Sequence, residues 1–281
     1  MLEKLKKRLI FAVILLIVII LYSWGFSMKT IIYNVKTNKL DNSIRIVFIS
    51  DLHNCFYGNF KQSKIIREVK ECSPDIIVFG GDVIDAYGGT KYALCLISEL
   101  CNEYPCVYTP GNHEEMRDDK EEFYSEIQKL CPVLLGNYEE ICVNDMNIRI
   151  YGVLDDTAWG KDNTQLDECF DTLDDKYYNI LLAHQPEQID SYLGRNTNSE
   201  IKFDLILSGH AHGGQWRVPK LLDQGLYAPD QGIFPDYTSG IYKYDNTTHI
   251  ISRGLARPLR MIFIPRIFNR PELSFITIQN N

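Results

Sequence analysis

The chain has 281 residues, of which 45% are hydrophobic and 23% charged, and its formal net charge is −8. These proportions are typical of a globular chain with room for one large domain or two small ones, and they exclude a largely disordered chain. The acidic balance argues against non-specific binding of nucleic acid, which requires a basic surface to displace counterions. We therefore expect no nucleic-acid partner, whereas a site that holds cations is compatible with this charge.

The first thirty residues differ from the rest because a basic cluster precedes a long apolar run. Four basic residues lie between Lys4 and Arg8, and residues 9–26 then contain no charge and no proline. As a helix this run would be about 27 Å long, which just spans a bilayer; a cleaved signal peptide is the main alternative. We predict residues 1–30 as a basic tail and transmembrane anchor and residues 31–281 as one domain. The basic cluster before the run favours a cytoplasmic N-terminus at the cell membrane and an extracytoplasmic domain.

Eight cysteines occur without a C-x-x-C pair and without zinc-finger spacing. The sequence therefore does not indicate thiolate metal ligands. Several of these cysteines fall at predicted helix or strand positions, which is typical of buried thiols, although an even number outside the cell could also form disulfides. We expect reduced cysteines in the core.

Five apolar runs with the composition of β-strands each end in a short polar cluster. These runs are residues 44–49, 75–79, 106–108, 178–182 and 203–207, with a further strand predicted at 147–153. Helical spacing of apolar residues predicts helices over 62–72, 92–100 and 121–130. Strands that alternate with helices predict an α/β fold with a buried, largely parallel sheet, and such sheets bind ligands at the carboxyl ends of their strands.

The polar clusters contain five of the six histidines, and only His249 lies elsewhere. The pair His210 and His212 is weak evidence alone, because loop histidines are commonly exposed or hydrogen-bonded. Taken with the other clusters, the chain offers two carboxylates, four imidazoles and one amide oxygen: Asp51, Asp82, His53, His184, His210, His212 and Asn112. Nitrogen and oxygen ligands without thiolate suit manganese, iron or zinc, and two such divalent ions side by side can support hydrolysis of a phosphoester.

The same clusters resemble, in order and spacing, the calcineurin-like metallophosphoesterase superfamily. The matching blocks are Asp51-Leu52-His53, Gly80-Gly81-Asp82, Gly111-Asn112-His113-Glu114, His184 and Gly209-His210-Ala211-His212. Later stretches are similar to a membrane-anchored bacterial branch: Gly213-Gly214-Gln215, Ala228-Pro229-Asp230-Gln231-Gly232, Ser252-Arg253-Gly254 and a late Arg-Pro-Glu. The resemblance therefore extends almost to the C-terminus.

The resemblance implies a four-layer αββα sandwich, with two sheets face to face and helices outside, behind the transmembrane helix. The first of two metal ions would be bound by Asp51, His53 and His212, the second by Asn112, His184 and His210, and both would be bridged by Asp82. His113 would not bind metal; it would contact the phosphate and protonate the leaving oxygen, a role that suits imidazole near neutral pH. Residues 31–281 would then be the catalytic domain.

Arginines are interleaved with apolar residues near the C-terminus, namely Arg253, Arg257, Arg260, Arg266 and Arg270. They are either a solvated face or a patch that binds lipid headgroups, and Arg253 and Arg257 are candidate substrate-binding residues. We predict a phosphorylated lipid or other phosphorylated small molecule as substrate, with the membrane as partner. The alternatives are a phosphatase or phosphodiesterase acting on soluble nucleotides or phosphoproteins, and a non-catalytic metal-binding module.

Overall fold

The computed structural model describes residues 2–23, 27–154, 164–194, 200–257 and 266–281. The helices in this part of the chain are α1 (Leu2–Ser23), α2 (Ser63–Cys72), α3 (Lys91–Cys101), α4 (Asn112–Glu115), α5 (Lys120–Gln128), α6 (Thr164–Asp171) and α7 (Ile189–Tyr192). The strands are β1 (Lys29–Thr37), β2 (Ile44–Ile49), β3 (Ile76–Gly80), β4 (Cys106–Thr109), β5 (Asn137–Val143), β6 (Met146–Val153), β7 (Tyr178–Ala183), β8 (Leu205–Ser208), β9 (Tyr227–Ala228), β10 (Gly232–Ile233), β11 (Gly240–Tyr244), β12 (Thr247–Ile251) and β13 (Glu272–Asn280).

Most strands belong to two sheets, of five and six strands. The first has the order β1-β13-β2-β3-β4, in which β2, β3 and β4 are parallel and β13 runs antiparallel to β2. The second has the order β11-β12-β8-β7-β6-β5, with four parallel central strands between antiparallel edge strands. A separate two-stranded hairpin consists of β9 and β10.

The two sheets pack face to face, because side chains alternate between opposite faces of each strand. On β2, Ile46 and Phe48 face the second sheet and join its strands in one buried cluster, whereas Val47 and Ile49 face helices α2, α3 and α5. The far side of the second sheet is covered by α6 and α7. The mixed α/β sandwich with two sheets is therefore confirmed. The single, largely parallel sheet predicted from strand order was wrong, because β2 to β4 and β6 to β8 lie in different sheets.

Central strands and helices lie within two residues of their predicted bounds. Strands that sequence patterns did not predict are β1, β5 and all five strands from β9 to β13. Strand β1 pairs in parallel with β13, so Lys29 lies beside Glu272 at the opposite end of the chain. Polar residues alternate along β1 and β13, and their pairing requires contact between the two termini. The domain boundary predicted at residue 31 falls inside β1.

No helix in the described part of the chain has both the length and the apolarity needed to cross a membrane. The predicted transmembrane span at residues 9–26 is therefore not supported. Helix α1 does form there, but its first two turns are charged and residues 24–26 lie outside the described part of the chain.

Candidate metal centre

The carboxyl ends of strands from both sheets meet at one edge of the sandwich. Strand β2 leads into Asp51 and His53, β3 into Asp82, β4 into Asn112, β7 into His184, and β8 into His210 and His212. Five of these seven residues have positive φ angles between 48° and 64°. Such angles are unfavourable for residues other than glycine, and this strain is concentrated at functional sites.

The first cluster consists of Asp51, His53 and His212, whose potential ligand atoms all lie within 4.8 Å of one another. All three are buried, and Oδ2 of Asp51 has no hydrogen-bond partner among the described residues. A side chain at Gly209 or at Gly254 would collide with the Asp51 carboxyl group, so both positions require glycine. These are the three residues that the sequence predicts for the first metal.

The second cluster consists of Asp82, His184 and His210, again with ligand atoms within 4.8 Å of one another. Asn112, the fourth residue predicted here, is buried and its Oδ1 has no hydrogen-bond partner. Oδ2 of Asp82 lies 3.2 Å from Nε2 of His184 and 3.8 Å from Nε2 of His53. Asp82 thus stands between the two clusters, as a bridging carboxylate must.

The donor set fits two divalent metal ions. It is made of imidazole nitrogens and oxygens, and buried oxygens without partners would otherwise cost free energy. Each of three histidines holds its second ring nitrogen against an oxygen: His53 Nδ1 is 2.7 Å from Asp85 Oδ1, His184 Nδ1 is 2.8 Å from the Gly80 carbonyl and His210 Nε2 is 2.9 Å from Asp230 Oδ2. Metal-binding histidines are usually oriented in this way.

Asp82 carries the most perturbed carboxyl group of the centre. Burial by itself would raise its pKa, but the neighbouring imidazoles of His184, His113 and His53 lower the pKa of Asp82 well below its usual range. The group is therefore an anion, which is the form that binds cations. Its Oδ1 also accepts a hydrogen bond of 2.9 Å from the backbone N–H of His113, which joins β3 to the start of α4.

His113 is the one predicted catalytic side chain, and it is 34% exposed at the edge of the buried clusters. Its Nε2 lies 3.9 Å from Asp82 Oδ2, and its Nδ1 lies 3.4 Å from Asp85 Oδ1. Burial favours the neutral ring, but Asp82 and Asp85 raise the pKa of His113 to about 9. Since His113 also lies within 4.8 Å of ligand atoms on His53 and Asp82, its role without metal binding stays a prediction.

Glu114 has a structural role that the sequence motif alone did not reveal. Its carboxylate is fully buried and accepts four backbone hydrogen bonds of 2.7 to 3.0 Å, from Asp82, Val83, Ile84 and Gly111. It therefore holds the loop after β3 against the loop after β4. The sequence did contain a signal for this role, because Glu114 closes the block Gly111-Asn112-His113-Glu114, in which Asn112 is a predicted ligand.

A third group of acidic and imidazole ligands adjoins the second cluster and was not predicted. Glu187, His210 and Asp230 have ligand atoms within 4.8 Å of one another. Within the described part of the chain neither carboxylate oxygen of Glu187 has a hydrogen-bond partner, and burial raises the pKa of Glu187 above its usual range. Asp230 could have been suspected from the block Ala228-Pro229-Asp230-Gln231-Gly232, but Glu187 lies in no matching block.

The C-terminal arginines do not form one surface. Arg266 is fully buried and donates a hydrogen bond of 2.6 Å to the Arg253 carbonyl, so neither a solvated face nor a lipid-binding patch includes it. Nε of Arg253 lies 3.6 Å from Oε2 of Glu272, and Arg257 donates a hydrogen bond of 2.9 Å to the Phe56 carbonyl. Arg260 lies outside the described residues. Contact of Arg253 and Arg257 with substrate stays a prediction.

Comparison with known families identifies the domain. Residues 44–214 match the model of the calcineurin-like phosphoesterase family, so the chain belongs to this family. The matched region includes all seven predicted metal ligands and His113. This membership confirms the prediction that the matched domain is that of a metal-dependent phosphohydrolase, and it goes against the alternative of a non-catalytic module.

The chain is also similar to individual proteins. It is 31% identical over 239 residues to an uncharacterized metallophosphoesterase of Helicobacter pylori, covering 81% of this chain and 59% of that protein. It is 28% identical over 252 residues to the uncharacterized metallophosphoesterase YkuE of Bacillus subtilis, and the match covers 85% of this chain and 80% of that protein. Among solved structures, a dimetal phosphatase from Danio rerio matches with a TM-score of 0.48 at 12% identity, and the match covers 77% of this chain and 89% of that one. The chain thus spans little more than half the length of its Helicobacter relative.

Proposed function

We propose that this protein hydrolyses a phosphoester or pyrophosphate bond in a membrane-associated or lipid-linked substrate. The observation that supports this chemistry best is that candidate ligands from both sheets converge on one carboxylate, that of Asp82. Its Oδ2 lies 3.2 Å from Nε2 of His184 and 3.8 Å from Nε2 of His53. Two divalent ions bound there would stabilise charge on a phosphoryl group and lower the pKa of water. Manganese, iron and zinc fit the nitrogen and oxygen donors.

The residues divide into those that hold metal and one that faces the substrate. Asp51, His53 and His212 would hold one ion, Asn112, His184 and His210 would hold the other, and Asp82 would bridge the two. His113 is partly exposed beside Asp82, where it can contact a phosphate oxygen and donate a proton to the leaving group. Asp85 limits the motion of its ring through Nδ1.

Metal-stripped protein reloaded with manganese, zinc, iron or magnesium tests this chemistry on phosphomonoesters, phosphodiesters and pyrophosphates. We expect hydrolysis with at least one metal. Asp82→Asn should lose metal and rate together, whereas His113→Ala should retain metal and lose about 10²- to 10⁴-fold in rate. No hydrolysis with any metal would contradict the enzyme assignment, and full activity of His113→Ala would contradict the general-acid role alone.

The membrane part of the proposal rests on helix α1. Its apolar side chains from Leu9 to Ile19 are 44% to 68% exposed, and basic residues precede them. Arg270 donates hydrogen bonds to the Ser27 and Met28 carbonyls, at 2.9 and 3.1 Å, and so holds the segment that follows α1 against the domain. A lipid surface that binds α1 would therefore also keep the domain near that surface. We propose that α1 associates with lipid of the cell membrane, with the domain on the extracytoplasmic side, as in the membrane-anchored bacterial branch.

A substrate comparison tests this part separately from the chemistry. Ile14→Asp, on α1, should reduce hydrolysis of a phospholipid substrate in vesicles several-fold and leave hydrolysis of a soluble ester unchanged, because a charge on α1 weakens contact with lipid. Ile32→Asp, at an equally exposed apolar position on β1, is the matched control and should change neither rate. Unchanged vesicle hydrolysis in Ile14→Asp would favour soluble nucleotides or phosphoproteins as substrates.

A further inference from the structure

Three of the eight cysteines come together at the end of the first sheet that lies away from the metal centre. Cys101 is the last residue of α3, Cys106 is the first residue of β4, and Cys131 follows α5. At its other end, β4 leads to Asn112. The three thiols are therefore separate from the metal ligands but are joined to them through β4.

The backbone register places two of these thiols side by side. Tyr108 forms a parallel bridge with Val133, and both its N–H and its C=O group bond to the neighbouring segment, at 2.9 and 2.8 Å. Two residues earlier on the two segments lie Cys106 and Cys131, whose side chains project to the same face as Tyr108 and Val133. All four side chains belong to the core cluster beneath helices α2, α3 and α5, and both cysteines are 6% exposed.

The third thiol packs against the same cluster and is the most exposed of the three. Cys101 is only partly buried, whereas Cys106 and Cys131 are each 6% exposed, and the Cys106 thiol donates a hydrogen bond of 3.4 Å to the Tyr104 carbonyl. Cys106 and then Cys131 also lower the pKa of the Cys101 thiol to about 4. Cys101 is the nucleophile of the three because solvent reaches it and its lowered pKa favours the thiolate, the form that reacts with peroxides.

We propose that Cys101, Cys106 and Cys131 form a peroxide-reactive site in which Cys101 becomes linked by a disulfide to one of the two strand thiols. The Cys101 thiolate attacks hydrogen peroxide, so that the O–O bond breaks, Cys101 becomes a sulfenic acid and hydroxide leaves. The thiol of Cys106 or Cys131 then attacks the Cys101 sulfur, forming the S–S bond and releasing water. In total, two thiols lose two electrons and two protons, and one peroxide becomes two molecules of water.

Thiol counting and peptide mapping of the zinc-loaded full chain test the proposal, since zinc adds no redox chemistry of its own. After a small molar excess of hydrogen peroxide, the eight free thiols of the chain should fall by two, and non-reducing mass spectrometry should link Cys101 to Cys106 or Cys131. Cys142→Ser, which removes an exposed cysteine, should also lose two thiols on treatment. Cys101→Ser should lose none.

Several results would overturn the proposal. They are no loss of thiols in the wild-type chain, an equal loss in Cys101→Ser, a link that involves a cysteine outside the three, and oxidation of Cys101 beyond sulfenic acid without a link. Peptide mapping of the wild-type chain is sufficient by itself if Cys101→Ser does not fold. The outcome does not depend on phosphoester hydrolysis, so it is distinguishable from a failure of the proposed function.

Discussion

Asp230 acts on the metal centre through a histidine rather than as one of the predicted ligands. Its Oδ2 lies 2.9 Å from Nε2 of His210, a member of the second cluster. A carboxylate in this position would fix the orientation of the imidazole and increase its basicity. Asp85 has the same relation to His53 in the first cluster. Each cluster therefore contains a histidine with one ring nitrogen against an acid outside the predicted ligand set.

Replacing Asp230 by asparagine should weaken metal binding at the second position by about 10-fold, because the amide is an uncharged and weaker acceptor. Asparagine tolerates the positive φ of 57° at this residue, so the backbone should not change. Titration of metal-stripped protein by calorimetry measures the effect. Asp236→Asn, at an exposed position between β10 and β11, is the control and should bind metal as the wild type does. Equal affinities in the two variants would contradict the role given to Asp230.

His249 is the histidine outside the predicted site, and it is a buried structural residue. It is 0% exposed, Nε2 lies 2.9 Å from Ser208 Oγ, and burial lowers the pKa of His249 to about 3. The folded chain keeps this ring neutral, whereas the unfolded chain protonates it below about pH 6.5. Its contribution to stability is therefore fully present above pH 6.5 and is lost as the pH falls below that value.

Urea unfolding of the wild type and of His249→Gln at pH 7.5, 6.5 and 5.5 measures this contribution. The difference in unfolding free energy between the two proteins should shrink as the pH falls, by about 1.4 kcal/mol for each pH unit well below 6.5. The other histidines titrate in both proteins and cancel in the difference. A difference that does not change with pH would mean that His249 has the same pKa in the folded chain as in the unfolded chain.

At the scale of elements, the site depends on loops that follow strands and on contacts between these loops. Glu114, on α4, accepts four backbone hydrogen bonds, three from the loop after β3 and one from Gly111 after β4.

Glu114→Gln should lower the free energy of unfolding by about 3 kcal/mol, since the amide nitrogen cannot accept the bonds that one carboxylate oxygen now accepts. Urea unfolding checks this value, with Glu122→Gln on the exposed face of α5 as control. If Glu114→Gln loses as little unfolding free energy as Glu122→Gln, Glu114 does not hold the two loops together.

Sequence patterns predicted the central elements well because each has an internal signal. Strand β2 is rich in β-branched and aromatic residues, helix α2 has apolar residues at helical spacing, and both form where predicted. Strand β5 has exposed and half-buried residues along its whole length, as an antiparallel edge strand does, so its pattern does not distinguish it from a loop. Helix α1 illustrates the opposite case, because its apolar run predicted a span, whereas no helix in the described part of the chain is both long and apolar enough to cross a membrane.

At the scale of the whole molecule, the metal centre exists only because two sheets pack together. Phe48 is fully buried in the cluster between them, and its ring occupies the space where a side chain at Gly80 would lie. The Gly80 carbonyl in turn accepts a hydrogen bond from His184 of the second sheet, with 2.8 Å between the two atoms. The contact between the sheets is therefore continuous with the metal centre.

Phe48→Ala should lower the free energy of unfolding by about 3 to 5 kcal/mol, because it leaves a cavity between the sheets. The metal affinity should fall as well, since Gly80 and His184 lose their support. Urea unfolding and metal titration measure the two effects. Ile32→Ala on the exposed side of β1 should change unfolding by less than about 1 kcal/mol. If Phe48→Ala binds metal normally, the coupling between core and site is absent.

The sequence by itself determined which residues could hold metal, because Asp51, His53, Asp82, Asn112, His184, His210 and His212 each follow a strand whose apolar pattern is local. The tertiary structure places six of these residues, all but Asn112, in two clusters whose ligand atoms lie close together, and strand order along the chain does not encode which strands share a sheet. It also decided that Arg266 is buried and that Glu187 and Asp230 adjoin the site. These contacts join residues distant in the chain, and no periodicity in the sequence records them.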